Sequence, residues 1–497
     1  MSRECYIGID HGSTNFKAGL YATDGRLLAE SSRPLENIRP GRGIVEQDPQ
    51  AWQVAMIEVF AELIDQAPDA AVKAIGACTQ VSSHIFVGED LRPVTNVIQW
   101  QDQRTNPYVE ELNRQIEETS DKFPEGFSVD ATATAARAKW AQAEEPELWE
   151  KTKYILCPKD YVNLMLTGVV AAEPLSSYDS VGPDGNYVEG LDSLVPGILK
   201  RLPCLKEFRE PLGTYKPLGN ARVDAALKDA VVAVGTMDVF GNLYGSGAYQ
   251  TGDAIEVCGT CEIVGVLSDQ AIPTKGVVPF PPLDGMRFHA GPTKSGGAST
   301  QWICRILNID LPEFNRLAAS VPPGSNGLVF LPYLEGERAP LWDSDARGVF
   351  LGLSGEHTRA HFCRAVIEGV AFSARHLLEE IDKAAGFRVE SLRISGGGSA
   401  SDLCCQIRAD ILGRTLKRIH VRNSGMIGAV TMAAVACGDA TDIGEAASEL
   451  VHVDTVFEPD PAKKDRYDAL YRVYRETYEQ ALPLYQRLLQ YRNMYPV

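Results

Sequence analysis

The sequence predicts an α/β fold of two facing domains, and three observations predict it. First, an apolar run, Tyr6-Ile7-Gly8-Ile9, delivers Asp10 into the turn His11-Gly12-Ser13-Thr14-Asn15-Phe16-Lys17. Second, a related arrangement returns mid-chain, where Ile255-Glu256-Val257-Cys258 leads into Gly259-Thr260. Each reads as a strand turning sharply through glycine and small hydroxyl residues, which leaves backbone N–H groups and hydroxyls free to hold phosphate oxygens. Third, 497 residues make two large domains or three modest ones, at about 100–200 residues per domain. The division is expected near residue 250, giving domains 1–250 and 251–497.

Taken in order, the chain to about Gly88 reads as strand, turn, strand, helix, strand. Thr23-Asp24-Gly25 is the hairpin turn, and the helix opens at Asp48-Pro49, with Asp as N-cap and Pro at the first helical position. Trp52, Met56, Phe60 and Leu63 recur at helical spacing, and Ala74-Ile75-Gly76-Ala77 returns as a buried strand. Residues 106–227 mix helical stretches (107–119, 131–143) with loops rich in Pro, Gly and Ser, such as 173–185, and read as lids and insertions. A strand at 231–234 ends in Gly235-Thr236-Met237-Asp238, followed by a small-residue helix to Tyr249. The second half repeats this logic with a loop at Ser295-Gly296-Gly297-Ala298-Ser299, a helix at 357–380, and a strand running into Ser395-Gly396-Gly397-Gly398-Ser399. Tyr467, Tyr471, Tyr474, Tyr478 and Tyr485 mark one face of a last helix at 462–491, in which Pro483 predicts a kink.

Charge narrows the function classes. Lys plus Arg total 48 against 66 Asp plus Glu, a net of −18 that repels nucleic acid and anionic membrane. A small anion can still be held by local N–H groups and Mg²⁺, because the global field is screened over roughly 8 Å. No basic segment followed by an apolar stretch opens the sequence, and the apolar run 426–437 falls short of the roughly 20 residues that cross a bilayer. Eleven scattered cysteines in mostly apolar surroundings suit a reducing compartment, so a cytoplasmic protein is expected, with a homodimer as the default assembly. The CxxC at Cys258-Gly259-Thr260-Cys261 stands alone and reads as part of the phosphate turn.

Several residues point to chemistry. Asp10, at the end of a buried strand, can hold Mg²⁺ through water while Lys17 approaches a transferred phosphoryl group; the alternative is an aspartate that caps its own turn. Asp238, between Gly235 and a helix, can take the proton of a substrate hydroxyl attacking a γ-phosphoryl; the alternative is a plain N-cap. The Gly396-Gly397-Gly398 turn suits the nucleotide α-phosphate or ribose, though flexible turns also use glycine. Trp100-Gln101-Asp102-Gln103-Arg104 joins an aromatic plate to polar arms, as sugar sites do, or is a buried Trp beside a surface ion pair. The segment 330–340 reads as a rigid surface loop with Glu337 and Arg338 in ion pairs.

Taken together, these motifs resemble the FGGY carbohydrate kinases, which phosphorylate sugars and polyols with ATP on a duplicated ribonuclease-H-like fold of the actin, hexokinase and Hsp70 type. The resemblance runs through Gly8-Ile9-Asp10 to Lys17, Glu46-Gln47-Asp48-Pro49 with Trp52, Trp100 to Arg104, and Pro158-Lys159-Asp160-Tyr161. It continues through Asp238, Gly259-Thr260, residues 330–340, Arg364-Ala365 with Glu368-Gly369, and Gly396-Gly397-Gly398. It implies a catalytic cleft between the two domains, closing about residues 249–253, with Asp238 as catalytic base and Asp10 as the Mg²⁺ site. Ser13, Thr14 and Lys17 would meet the γ-phosphate of ATP, and Gly259 and Thr260 would face the phosphates from the other domain. Gly397, Gly398 and Asn423 would contact the nucleoside.

Gln80, Val81, Ser82 and Trp100 would line the acceptor pocket, and there the chain departs from its resemblances. Glycerol kinases carry Arg-Glu after the glutamine where this chain has Val81-Ser82, and xylulose kinases carry Met-His. The departures point to a ketopentose, deoxy sugar or polyol. Two other classes stay open at this point: a nucleotide-gated sensor on the same fold, and an acceptor-independent ATPase.

Overall fold

The computed structural model describes residues 3–495. It divides into two compact units: one runs to Gly247 and takes in Asn423–Val451, the other holds Ala248–Arg422 and the chain from His452 onward. The division expected near residue 250 needs correcting for residues 423–451, which belong with the first unit. The reason is the helix Ser424–Ala436, buried from Ser424 through Ala434. A helix apolar on every side must be covered on every side, and glycines in the first unit make room for it.

The first unit is built on a seven-stranded sheet of β1 (Arg3–His11), β2 (Asn15–Ala22), β3 (Leu27–Pro34), β4 (Ala70–Thr79), β5 (Pro211–Thr214), β6 (Val231–Ala233) and β7 (Thr236–Met237). Their order is β3-β2-β1-β4-β6-β5, with β7 also on β4. β2 runs antiparallel to β1, whereas β4 is parallel to β1, and β6 and β7 are parallel to β4. The helix Pro49–Gln66 buries Trp52, Met56, Phe60 and Leu63, and Asp48 caps it by accepting the Gln50 N–H, as its sequence predicts.

The helix Ser424–Ala436 packs on β1 and β4 at backbone distance. A Cβ on Gly8 would lie 2.1 Å from the Met426 carbonyl oxygen, and one on Gly76 would lie 1.9 Å from that of Ala429. Only glycine permits that approach. Elsewhere in the first unit, the helices Asn106–Glu118 and Thr134–Glu144 close a separate apolar cluster with Phe86, Ile98 and Trp149. The second of these helices begins at Thr134 rather than at 131.

The second unit repeats the plan with β8 (Ala254–Cys258), β9 (Glu262–Ser268), β10 (Val278–Pro279), β11 (Arg287–Pro292), β12 (Ser391–Ser395), β13 (Thr415–Ile419) and β14 (Val453–Phe457). The order is β10-β11-β9-β8-β12-β13-β14. β8 is antiparallel to β9 and parallel to β12, as β1 is to β2 and β4. The helix Arg359–Ala385 packs beneath this sheet, and the helix Lys464–Met494 runs through Pro483 with Tyr467, Tyr471, Tyr474 and Tyr485 buried. Glu337, expected in a surface ion pair, is buried and accepts hydrogen bonds from the Lys294 and Arg338 N–H groups and the Ser295 hydroxyl. Among the described residues no helix is long and apolar enough to cross a membrane.

Candidate active site

The register of the first sheet sets three carboxyl-terminal strand ends side by side. His11 and Met237 both pair with Thr79, so Asp10, Gln80 and Asp238 emerge at one edge. Ends of parallel strands are where α/β sheets present binding residues. Asp238 opens the helix Asp238–Gly245 and is partly open to solvent. Burial, and then the Asp10 charge nearby, push its carboxyl from 3.8 up to about 7.

Asp10 is itself raised by burial, against the opposing pull of Lys17 and a hydrogen bond from Asn423. Lys17 Nζ stands 3.9 Å from Asp10 Oδ2, a loose ion pair. Asn423 also caps the helix Ser424–Ala436 by accepting the Met426 N–H at 3.2 Å. A Cβ on Gly425 would meet Asp10 Cγ at 3.1 Å, so the helix start presses against this carboxylate. Asn423, expected at the nucleoside, thus lies in the first unit beside Asp10.

Ser13 and Thr14 lie on the turn that Gly12 closes by donating to the Asn15 carbonyl at 3.1 Å. Gln47 holds that turn, donating to the Ser13 carbonyl at 2.7 Å while its Oε1 accepts from the Trp52 indole at 2.9 Å. His11, within the same motif, is fully buried with its ring edge-on to Trp52 at 4.1 Å, and burial lowers its pKa to about 3. It is a neutral packing residue.

On the acceptor side, Gln80 donates its N–H to the His11 carbonyl at 2.8 Å and is 5% exposed, yet its Nε2 has no partner. Ser83 Oγ accepts the Trp100 N–H at 3.0 Å and reaches Gln80 Oε1 at 3.4 Å, which ties the two expected pocket segments together. Val81 and Ser82, between them, are half-buried. Behind Trp100, Asp102 accepts from Val45 N at 2.7 Å and pairs with Arg104 at 2.9 Å and with buried Arg137 at 3.1 Å. The polar arms of that segment brace the fold.

In the second unit Gly259 and Thr260 form the β8–β9 turn, and their carbonyls accept from Gly297 N at 2.9 Å and Ala298 N at 3.0 Å at the start of a helix. Beneath the turn, buried Glu256 and Glu262 share the Arg408 guanidinium. The Gly396 turn abuts the same strand end. A Cβ on Gly398 would fall 2.8 Å from that of Cys258, whereas one on Gly397 would meet nothing within 4 Å. Gly398 thus has no room for a side chain against Cys258, and Gly397 fronts open space.

Two residues unread in the sequence matter here. Glu173 is fully buried and accepts from Leu175 N at 2.6 Å, Ser176 N at 2.8 Å and Thr236 Oγ1 at 2.9 Å, which binds its loop to the strand leading into Asp238. Tyr178 hydrogen-bonds Ser82. The signal for Glu173 was a lone carboxylate directly after the apolar run Val169-Val170-Ala171-Ala172. Nothing local marked Tyr178.

Residues 5–176 match the model for the FGGY family of carbohydrate kinases, N-terminal domain, and residues 254–437 match that for the C-terminal domain. The chain is 29% identical over 505 residues to the xylulose kinase of Bacillus subtilis, covering 98% of this chain and 99% of that one. It is 30% identical over 465 residues to a glycerol kinase of Geobacter sp., covering 88% and 90%. Among solved structures, xylulose kinase from Rhodospirillum rubrum superposes with a TM-score of 0.82 at 26% identity, over 97% of this chain and all of that one (100%).

Proposed function

The chain belongs to the FGGY family of carbohydrate kinases and transfers a phosphoryl group from ATP to a small sugar or polyol, and from that premise we propose that Asp238 is the general base. The supporting observation is its position and ionisation: a carboxylate at a strand edge, partly open, with a pKa brought to about 7 by burial and the neighbouring Asp10. A base titrating near the working pH is both deprotonated and strong enough to help. The acceptor hydroxyl gives its proton to Asp238 as its oxygen bonds to the γ-phosphorus. The bond from that phosphorus to the bridging oxygen breaks, ADP leaves with the electron pair, and Asp238 returns the proton to water.

Asp10 fits a divalent cation. Its raised pKa means the ionised carboxylate lacks full compensation, the Lys17 ammonium is 3.9 Å away, and a second carboxylate stands near enough to feel it. A single carboxylate suits Mg²⁺: Asp10 would hold the ion, which would supply neutralisation of the phosphate charge. In this reading Asn423 orients Asp10, and Lys17 with the Ser13-Thr14 turn holds the γ-phosphate. Gly259, Thr260, Gly397 and Gly398 take the rest of the nucleotide. Gln80, through its unpartnered Nε2, together with Val81, Ser82 and Trp100, receives an acceptor such as a ketopentose. We place the protein in the cytoplasm on its scattered thiols, exclude a nucleic-acid partner on its net charge of −18, and take a homodimer as the default assembly.

ADP release measured over ketoses, aldoses, deoxy sugars and polyols, with a no-acceptor control, tests the acceptor. Strong stimulation by one neutral sugar or polyol is expected. Equal release without any acceptor would replace the kinase reading with an ATPase.

A further inference from the structure

We infer that Tyr178 is a specificity-determining residue, whose hydroxyl and that of Ser82 together receive an acceptor hydroxyl other than the one phosphorylated; this rests on the kinase reading above. Ser82 holds φ at 64°, a left-handed conformation that serine seldom adopts and that clusters at functional sites. It lies three residues past Thr79, the end of the strand that pairs with the one delivering Asp238. Its Oγ stands 3.1 Å from the Tyr178 hydroxyl.

Among residues 171–180 Tyr178 alone is exposed, at 40%, while its neighbours are buried or half-buried. Two carboxylates anchor the backbone on either side of it. Glu173 ties one flank to Thr236, and Asp179 ties the other to the start of the helix Thr134–Glu144, accepting from Thr134 N at 2.7 Å and Ser180 Oγ at 2.9 Å. With its backbone pinned on one side by fully buried Glu173 and on the other by half-buried Asp179, and its hydroxyl against Ser82, the Tyr178 side chain is preorganised.

Each of the two hydroxyls can donate and accept, and neither is charged. The pair therefore suits one neutral hydroxyl inserted between or beside them. The same carboxylate, Glu173, holds both the backbone that leads to Tyr178, at Leu175 and Ser176, and the strand of the proposed base, at Thr236.

The test uses the best neutral acceptor and its analogues lacking one hydroxyl each, assayed on the wild type, Tyr178→Phe and Ser82→Gly. The glycine suits the left-handed backbone, so that variant loses the hydroxyl without added strain. The wild type is expected to discriminate against one analogue by about 3- to 10-fold in kcat/KM, the scale of one hydrogen bond. Either variant should shrink that penalty to less than about 2-fold while still ranking the other analogues as the wild type does. Unaltered discrimination in both variants, or a uniform loss across all analogues, overturns the assignment to Tyr178 and leaves the kinase reading standing. A wild type that phosphorylates no member of the panel refutes the kinase reading and this inference together.

Discussion

Replacing Asp238 by asparagine should stabilise the protein at alkaline pH while abolishing its chemistry. Burial and Asp10 raise the Asp238 pKa from 3.8 to about 7, so folding takes up a proton in the window between those values. A carboxyl raised in the folded state costs stability as pH climbs through that window, and the loss is complete above it. At about 1.4 kcal/mol per tenfold, the interval sets a ceiling of ~4 kcal/mol. Solvent reaching a partly exposed carboxylate screens this to about 1–2 kcal/mol.

Asn keeps an oxygen to accept the nearby N–H but carries no charge. Thermal unfolding of the nucleotide-free, metal-free protein should therefore show Asp238→Asn matching the wild type near pH 4. Above pH 7 it should melt roughly 1–4 °C higher. Phosphoryl transfer should fall by at least about 10²-fold, because an amide cannot take the proton. A melting difference that ignores pH would refute the electrostatic account, and turnover within threefold of wild type would refute the base.

Asp10→Ala should lose Mg²⁺-dependent turnover, and an unchanged rate with unchanged Mg²⁺ response would remove the metal assignment. Gly76→Ala forces a methyl to within 1.9 Å of the Ala429 carbonyl oxygen, so the helix Ser424–Ala436 must move. A loss of about 1–3 kcal/mol or more is expected, and a wild-type denaturation midpoint would show that the contact yields freely.

Local chemistry made much of this protein legible from sequence. The strand-turn units at Asp10 and Gly259 depend on residue types adjacent in the chain, as do the Asp48 cap and the periodic face of the helix it opens, and all lie where those signals place them. The repeated strand pattern was readable too, because each copy carries its own turn. Glycine had a second meaning that could not be read. Gly8 reads as part of an apolar strand, but its hydrogen faces the Met426 carbonyl, which is far away in sequence.

Spacing along a few residues is enough to specify the two α/β halves, the family and the residue types available for phosphoryl transfer. The remainder came from folding. It returned residues 423–451 to the first unit, set Asn423 against Asp10, and raised Asp238 by burial beside a second carboxylate. It also buried Glu173 beneath Thr236 and brought Tyr178 to Ser82. Desolvation, charge proximity and backbone-to-backbone packing depend on distances through space, and those exist only once the chain has folded.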